Sequence, residues 1–325
     1  MLKKISVIPI ILVFGIFISI GFTCFYFMNA LQYDVSTDLN EELNESDYRF
    51  VLIVQEMDNP YFSDLIEGAE SVAKQNNVSL EYIGTQQTDI HEHIKLIEKA
   101  IASKVDGILT QGLSNADFEP VIQKALDKGI PVITIDTDLE NSKRVSYVGT
   151  DNYQAGYTAG LTLMKETVEK ANVGIITGSF HSNQHQMRVR GFLDAVEEDP
   201  KIKVLAIESS NLTSIQGIEK TYQMLRDYPM INVLYGTSAR DGIGIVGGLD
   251  IVKPKSSIRV YTFDDLEETV ELMKKDRIHA IFQQQPYDMG HQSILLLLDL
   301  MKGKKIKSAY YTDVHILRKE DVIDQ

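Results

Sequence analysis

One cysteine, Cys24, stands in 325 residues, which excludes an intramolecular disulfide and any metal site built from several cysteines. Tryptophan is absent, so a ring-stacking surface has to use Tyr or Phe. No Lys/Arg-rich block occurs, and 32 basic against 46 acidic residues give a net charge of -14. Nucleic acid is therefore excluded as a partner, because phosphate backbones need basic patches. A G-x-S-x-G elbow is also missing, and no Ser/His/Asp set is implied by spacing. Apolar residues make up 44%, enough for a core larger than one compact domain usually holds.

The N-terminus carries Lys3 and Lys4, then an apolar run from Ile5 to Leu31. Roughly 20 apolar residues span a bilayer as a helix, and the lysines stay in the cytoplasm. Residues 1–32 are thus expected to be a cytoplasmic stub and an uncleaved transmembrane anchor, with the remainder outside the cell. A lipoprotein signal at Cys24 is the rival reading. Thr23 is a poor residue before a lipidated cysteine, and Phe25-Tyr26-Phe27-Met28 continues the apolar run past it. Ordinary signal cleavage is the third alternative. Residues 33–48, with Asp34, Asp38, Glu41, Glu42, Glu45 and Asp47, read as a solvated acidic linker.

From Arg49 onward, strand-length apolar runs alternate with amphipathic helical stretches. Strands are expected at 50–54, 80–85, 107–110, 131–136, 172–177, 203–208, 231–236, 258–263 and 280–285. Helices are expected after Pro60 and at 90–103, 119–128, 152–169, 184–197, 214–227, 239–249, 265–275 and 287–302. Repeated βαβ units with continuous apolar strands mean an α/β fold with parallel sheets flanked by helices. Ligands then bind beyond the carboxyl ends of the strands.

Those ends carry Glu56, Asp58, Asn59, Tyr61 and Phe62, then Gln111, Asp136 and Asp138. Later ends carry Ser238, Arg240, Asp264, Asp265 and Gln283 to Gln285. Carboxylates accept from hydroxyls, amides both donate and accept, and aromatic faces cover the C–H face of a sugar ring. The series suits a neutral, many-hydroxyl ligand. Strand-end Asp and Asn also cap helices, and Asn152 and Asp265 are assigned to capping.

Asp58-Asn59-Pro60-Tyr61-Phe62, Gly129 to Asp136, Tyr147 to Asn152 with Ala155-Gly156, Arg188 to Phe192, Phe263-Asp264 and Gln284-Gln285-Pro286 follow in order. Together they resemble the ribose-type sugar-binding proteins of the type I periplasmic binding protein family, over residues 49 to about 317. The resemblance implies a two-lobed fold. Lobe 1 takes 49–150 with 285–310, and lobe 2 takes 151–284 with 311–325, with crossings near 150–151, 284–285 and 311–314. It implies sugar contacts from Asn59, Tyr61, Phe62, Gln111, Asp136, Arg188, Ser238, Asp264 and Gln284. Asp136 would accept from two hydroxyls, Arg188 would donate, and Tyr61 or Phe62 would stack. Ser238-Ala239 departs from the family's Asn-Asp and points to a different hydroxyl pattern.

The layout is similar to membrane-anchored xylose-sensing binding proteins that work with LytS-type histidine kinases. That implies a pentose ligand, xylose or ribose, and a membrane kinase partner. The alternative is the substrate-binding component of a sugar ABC transporter with a permease partner, and a homodimer is left open. No enzyme activity, cofactor or metal is expected. Gly242-x-Gly244-x-x-Gly247 fits a dinucleotide fingerprint but lies inside an expected helix, so close helix packing is the reading. His91, His93, His181 and His185 lack a third ligand and read as solvated surface. Asp136 and Asp264 could form a glycosidase pair, but Arg188 nearby should hold both ionised.

Overall fold

The structure is a computed structural model that describes residues 19–23, 46–57, 59–87, 89–113 and 115–323. The chain forms two units, 1–46 and 47–325. Of the first, residues 19–23 are helical, with the Thr23 hydroxyl donating to the Ser19 carbonyl at 2.9 Å. The rest of the expected anchor, Cys24, Asp58 and nearly all of the acidic linker lie outside the described residues. Among the described residues no helix is long and apolar enough to cross a membrane.

The second unit holds two six-stranded sheets of matching topology. The first contains β1 (Tyr48–Val54), β2 (Val78–Gly84), β3 (Gly107–Thr110), β4 (Val132–Ile135), β5 (Ser146–Thr150) and β11 (Ala309–Thr312). Its order is β11-β5-β4-β3-β1-β2. The second contains β6 (Ala171–Thr177), β7 (Ile202–Ser209), β8 (Val233–Gly236), β9 (Arg259–Phe263), β10 (Ala280–Gln283) and β12 (His315–Leu317). Its order is β12-β10-β9-β8-β6-β7. All described pairings are parallel except β10 with β12. Phe50 to Val54 are all buried, as a central strand covered on both faces requires.

The covering helices are α1 (Pro60–Gln75), α2 (Ile90–Ala102), α3 (Asn115–Asp127), α4 (Asn152–Glu166), α5 (Asn183–Val196), α6 (Ser214–Asp227), α7 (Ala239–Val252), α8 (Glu267–Lys274) and α9 (Pro286–Met301). A short α10 (Lys319–Ile323) ends the described chain. The chain passes between the sheets after Thr150, after Gln283 and after Thr312. The last passage lies two residues past the lobe boundary expected at 310 and inside the 311–314 stretch where a crossing was expected, because Tyr311 and Thr312 pair with Gly149 and Thr150. The strands β5, β11 and β12 were not expected; each is short and lacks a long apolar run.

The helices that begin at the first two passages cross a partner at glycine. A Cβ on Gly156 of α4 would sit 2.0 Å from the Arg188 carbonyl of α5, and one on Gly191 of α5 2.0 Å from the Tyr153 carbonyl of α4. In the other lobe, a Cβ on Gly290 of α9 would sit 1.8 Å from the Leu65 carbonyl, and one on Gly68 of α1 2.0 Å from the Tyr287 carbonyl. Each pair uses the fifth residue of one helix and the ninth of the other, so the two lobes repeat one helix contact. The apparent dinucleotide glycines do similar work inside α7. A Cβ on Gly244 would lie 2.8 Å from Gly217 Cα of α6, and one on Gly247 2.7 Å from Ile218.

Candidate functional site

A cavity of about 580 Å³ lies between the carboxyl ends of the two sheets. Of the nine expected contacts, Asn59, Tyr61, Phe62, Asp136, Arg188, Ser238, Asp264 and Gln284 line it. Gln111 does not. It is fully buried behind the wall, its amide donating to Asp136 Oδ2 at 2.8 Å while its Oε1 accepts from the Gln55 N–H at 2.7 Å.

Asp136 directly follows β4 with φ +63°, and Asp264 directly follows β9 with φ +64°. This left-handed backbone is uncommon for a residue other than glycine and gathers at functional sites. Each N–H donates to the neighbouring strand, Asp136 to the Val148 carbonyl at 2.9 Å and Asp264 to the Phe282 carbonyl at 3.1 Å. Each carboxylate is aimed by a buried glutamine, Asp136 by Gln111 and Asp264 by Gln284 at 2.7 Å. Gln284 also accepts from the Thr150 hydroxyl at 2.7 Å, tying two interlobe passages together.

Asp136 receives two further donors, the Tyr61 hydroxyl on Oδ1 at 2.8 Å and the Thr137 hydroxyl on Oδ2 at 3.0 Å. A carboxylate offers about four acceptor positions, so these three donors leave room for one ligand hydroxyl rather than two. Tyr61 is held by this bond, and burial first, then the charge of Asp136, keeps its phenol far above the ordinary value. Phe62 is buried and meets the Tyr61 ring edge-on, with centroids 5.2 Å apart. Asn59 caps α1, its Oδ1 accepting from the Tyr61 N–H at 3.1 Å and its amide donating to Glu56 at 3.3 Å.

Arg188 faces these groups from α5 and is 4% exposed. Its Nε donates to Asn152 Oδ1 at 2.9 Å and its Nη1 to the Thr237 carbonyl at 2.8 Å. The guanidinium carbon stands 4.1 Å from the Phe263 ring centroid, a cation–π contact. Both hydrogen-bond acceptors are neutral, and they use two of the five N–H donors of this cavity-lining side chain. Burial pushes the Asp264 carboxyl up, and the opposing pull of Arg188 does not offset it. Arg188 thus opposes the effect of burial at Asp264 without reversing it.

Asn152 does not cap α4. Asp151 does, accepting from the Gln154 N–H at 2.9 Å, and Asn152 is freed to hold Arg188. Asp265 does not cap α8 either; it accepts from the Gln283 amide at 2.5 Å. Ser238 caps α7 and accepts from the Asp241 N–H at 3.3 Å, so its hydroxyl is partly committed. His93 and His185 are buried, against the expectation of solvated surface. Each ring meets a threonine hydroxyl at 2.9 Å, His93 that of Thr110 and His185 that of Thr237. Burial lowers His93 to about 4; burial and then Arg188 lower His185 to about 3. Among the described residues no group of acidic, His or Cys side chains could hold a metal.

Two contacts bridge the lobes at the rim, Arg240 Nη2 to Glu56 Oε2 at 3.5 Å and the Asn183 amide to Glu140 Oε1 at 3.4 Å. Glu56 and Arg240 both stand at strand ends in the sequence, and 184 positions separate the two partners of this pair. Leu212, which lines the cavity from the loop after β7, gave no polar signal and was missed.

A family model described as a periplasmic binding protein domain matches residues 50–305. The D-ribose/D-allose-binding protein of Pseudomonas aeruginosa is 25% identical over 265 residues, covering 79% of this chain and 83% of that protein. The crystal structure of GanP, a glucose-galactose binding protein from Geobacillus stearothermophilus, is 44% identical with a TM-score of 0.80. That match covers 85% of this chain and 99% of GanP. A solved XylFII-LytSN complex contains a chain 32% identical, with a TM-score of 0.75, covering 85% of this chain and 99% of that one.

Proposed function

The chain belongs to the type I periplasmic binding protein family, and from that membership we propose that it binds one monosaccharide between its lobes and reports it by closing. The observation that carries the reading is the matched pair Asp136 and Asp264, one per lobe, lining one cavity together with Arg188. A sugar ring engaging all three gains contacts from two walls in the closed state and from one in the open state. That difference is what a ligand needs to shift the equilibrium. The lobes, 49–150 with 285–312 and 151–284 with 313–325, move as two bodies about the three passages.

The closed form signals to a membrane histidine kinase, with residues 1–32 as a membrane anchor that packs beside the kinase's helices. Supporting this are the apolar run from Ile5 to Leu31 and the likeness to XylFII, which was solved together with LytSN. A pentose is the proposed ligand.

A thermal-shift screen of the full-length chain against D-xylose, D-ribose, L-arabinose, D-glucose and D-galactose tests binding. A sugar at a hundredfold its dissociation constant stabilises by about 2.7 kcal/mol. Deletion of the gene then tests signalling: sugar-induced transcription is lost while uptake continues. Lost uptake with normal induction would make the protein a transporter component instead.

A further inference from the structure

One buried carboxylate takes no part in the cavity. Asp241, in the first turn of α7, is fully buried. Ser210 donates to its Oδ1 at 2.5 Å, and the Thr237 N–H and hydroxyl donate to its Oδ2 at 3.1 and 3.2 Å. The Thr237 hydroxyl also accepts from the Gly178 N–H at 3.1 Å and meets His185 Nδ1 at 2.9 Å. Gly178, Ser210 and Thr237 each follow a strand, β6, β7 and β8 respectively, and all three converge on this carboxylate or on the threonine it holds. The Thr237 carbonyl is the acceptor of Arg188 Nη1.

A buried charge is weak evidence for stability, since an apolar residue of similar volume fills such a place at no loss. Here burial pushes the Asp241 carboxyl up to about 6 against the pull of its donors, so its charge is carried at a cost. What that cost secures is geometry: three strand ends are locked at the wall from which the guanidinium works.

Resting on the sugar-binding reading above, we propose that Asp241 is the positioning residue of Arg188, acting through Thr237. It touches no ligand. It fixes the residue whose carbonyl sets one edge of the guanidinium, as Asn152 sets the other.

The test uses the full-length chain with Asp241→Ala, Asp241→Asn and Asp241→Leu. Asparagine keeps an acceptor for the Thr237 N–H; alanine keeps none. The first readout needs no sugar. It is the Arg188 Nε–H resonance in protein labelled with ¹⁵N-arginine, assigned by its loss in Arg188→Lys. A sharp, slowly exchanging signal is expected in wild type and Asp241→Asn, and a broadened, fast-exchanging one in Asp241→Ala. The second readout is titration with the best sugar of the screen. Alanine should weaken binding at least about tenfold, the loss of roughly one charged hydrogen bond, and asparagine should stay within about threefold of wild type. An unchanged Arg188 signal in folded Asp241→Ala overturns the proposal. Should that variant fail to fold, the same result in folded Asp241→Leu overturns it, since leucine fills the place of the carboxylate and likewise keeps no acceptor for the Thr237 N–H. If no sugar binds the wild type, the binding reading fails, and the Arg188 signal still decides this one.

Discussion

Asp136 and Asp264 hold the same place in the two lobes: each directly follows its strand, at φ +63° and +64°, donates its N–H to the next strand, and receives a buried glutamine amide. The duplication extends to the helix pairs α1/α9 and α4/α5, which cross at paired glycines. A ligand in the cleft therefore meets two similar acceptors from opposite sides and one cation from the second lobe alone.

Burial makes the charge of Asp264 costly to stability. Burial raises its folded pKa above the ordinary 3.8, so folding favours the neutral form. Its contribution is fully present below the unfolded value and is lost as pH rises through the folded one. Asp264→Asn should melt higher than wild type at pH 7–8, with the gap closing as pH falls toward 4. Thermal unfolding across that range checks it, and sugar affinity should fall even as stability rises.

The two buried histidines act in the opposite direction. Their folded values, about 4 for His93 and about 3 for His185, lie below the ordinary 6.5. The stability of the neutral rings is present above 6.5 and lost as pH falls through those folded values. Each pH unit between a ring's folded and unfolded values is worth about 1.4 kcal/mol, so acidification should cost several kcal/mol from the two together. His93→Gln should lower the pH midpoint of acid unfolding, followed by circular dichroism.

How much of this was legible in the sequence depends on the kind of signal. Continuous apolar runs announced the central strands, and α6 was expected over the residues it occupies. β5, β11 and β12 were not, because short edge or linking strands carry little apolar patterning. Residue type placed Asp136, Arg188 and Asp264 at the cleft. It could not show that Gln111 stands behind Asp136, because strand-end position does not say which way a side chain turns. Nor could it choose between adjacent caps: Asp151 took the cap expected of Asn152, and Asn152 went to Arg188. Buried histidines look like surface ones when the partner, Thr110 or Thr237, lies far along the chain.

The crossing glycines admit no side chain. A Cβ on Gly290 would fall 1.8 Å from the Leu65 carbonyl and one on Gly156 2.0 Å from the Arg188 carbonyl. Each Gly→Ala should destabilise by about 1–3 kcal/mol or more, measured by denaturant unfolding. Gly156→Ala should also weaken sugar binding, because it displaces the turn of α5 that carries Arg188; Gly290→Ala should spare Arg188.

The rim pair between Arg240 and Glu56 is weak. Arg240 is half exposed and its 3.5 Å contact with Glu56 is solvent-screened. Such pairs contribute about 0–1 kcal/mol. Glu56→Gln should shift the sugar-free open–closed balance by less than about fivefold, and about 1 M salt should erase the difference. Interlobe distance measured by fluorescence transfer, with labels at exposed positions on each lobe, reads both.

The most direct measurement is calorimetric titration of the full-length wild type, Asp136→Ala and Arg188→Ala with the best sugar of the screen. Charged hydrogen bonds of about 1.5–3 kcal/mol each set the scale, so each variant should bind at least about tenfold more weakly while unfolding cooperatively. Micromolar binding by the wild type and binding weaker by at least about tenfold in each folded variant is the expected result. Wild-type affinity in a folded Asp136→Ala protein would contradict it and place the sugar elsewhere.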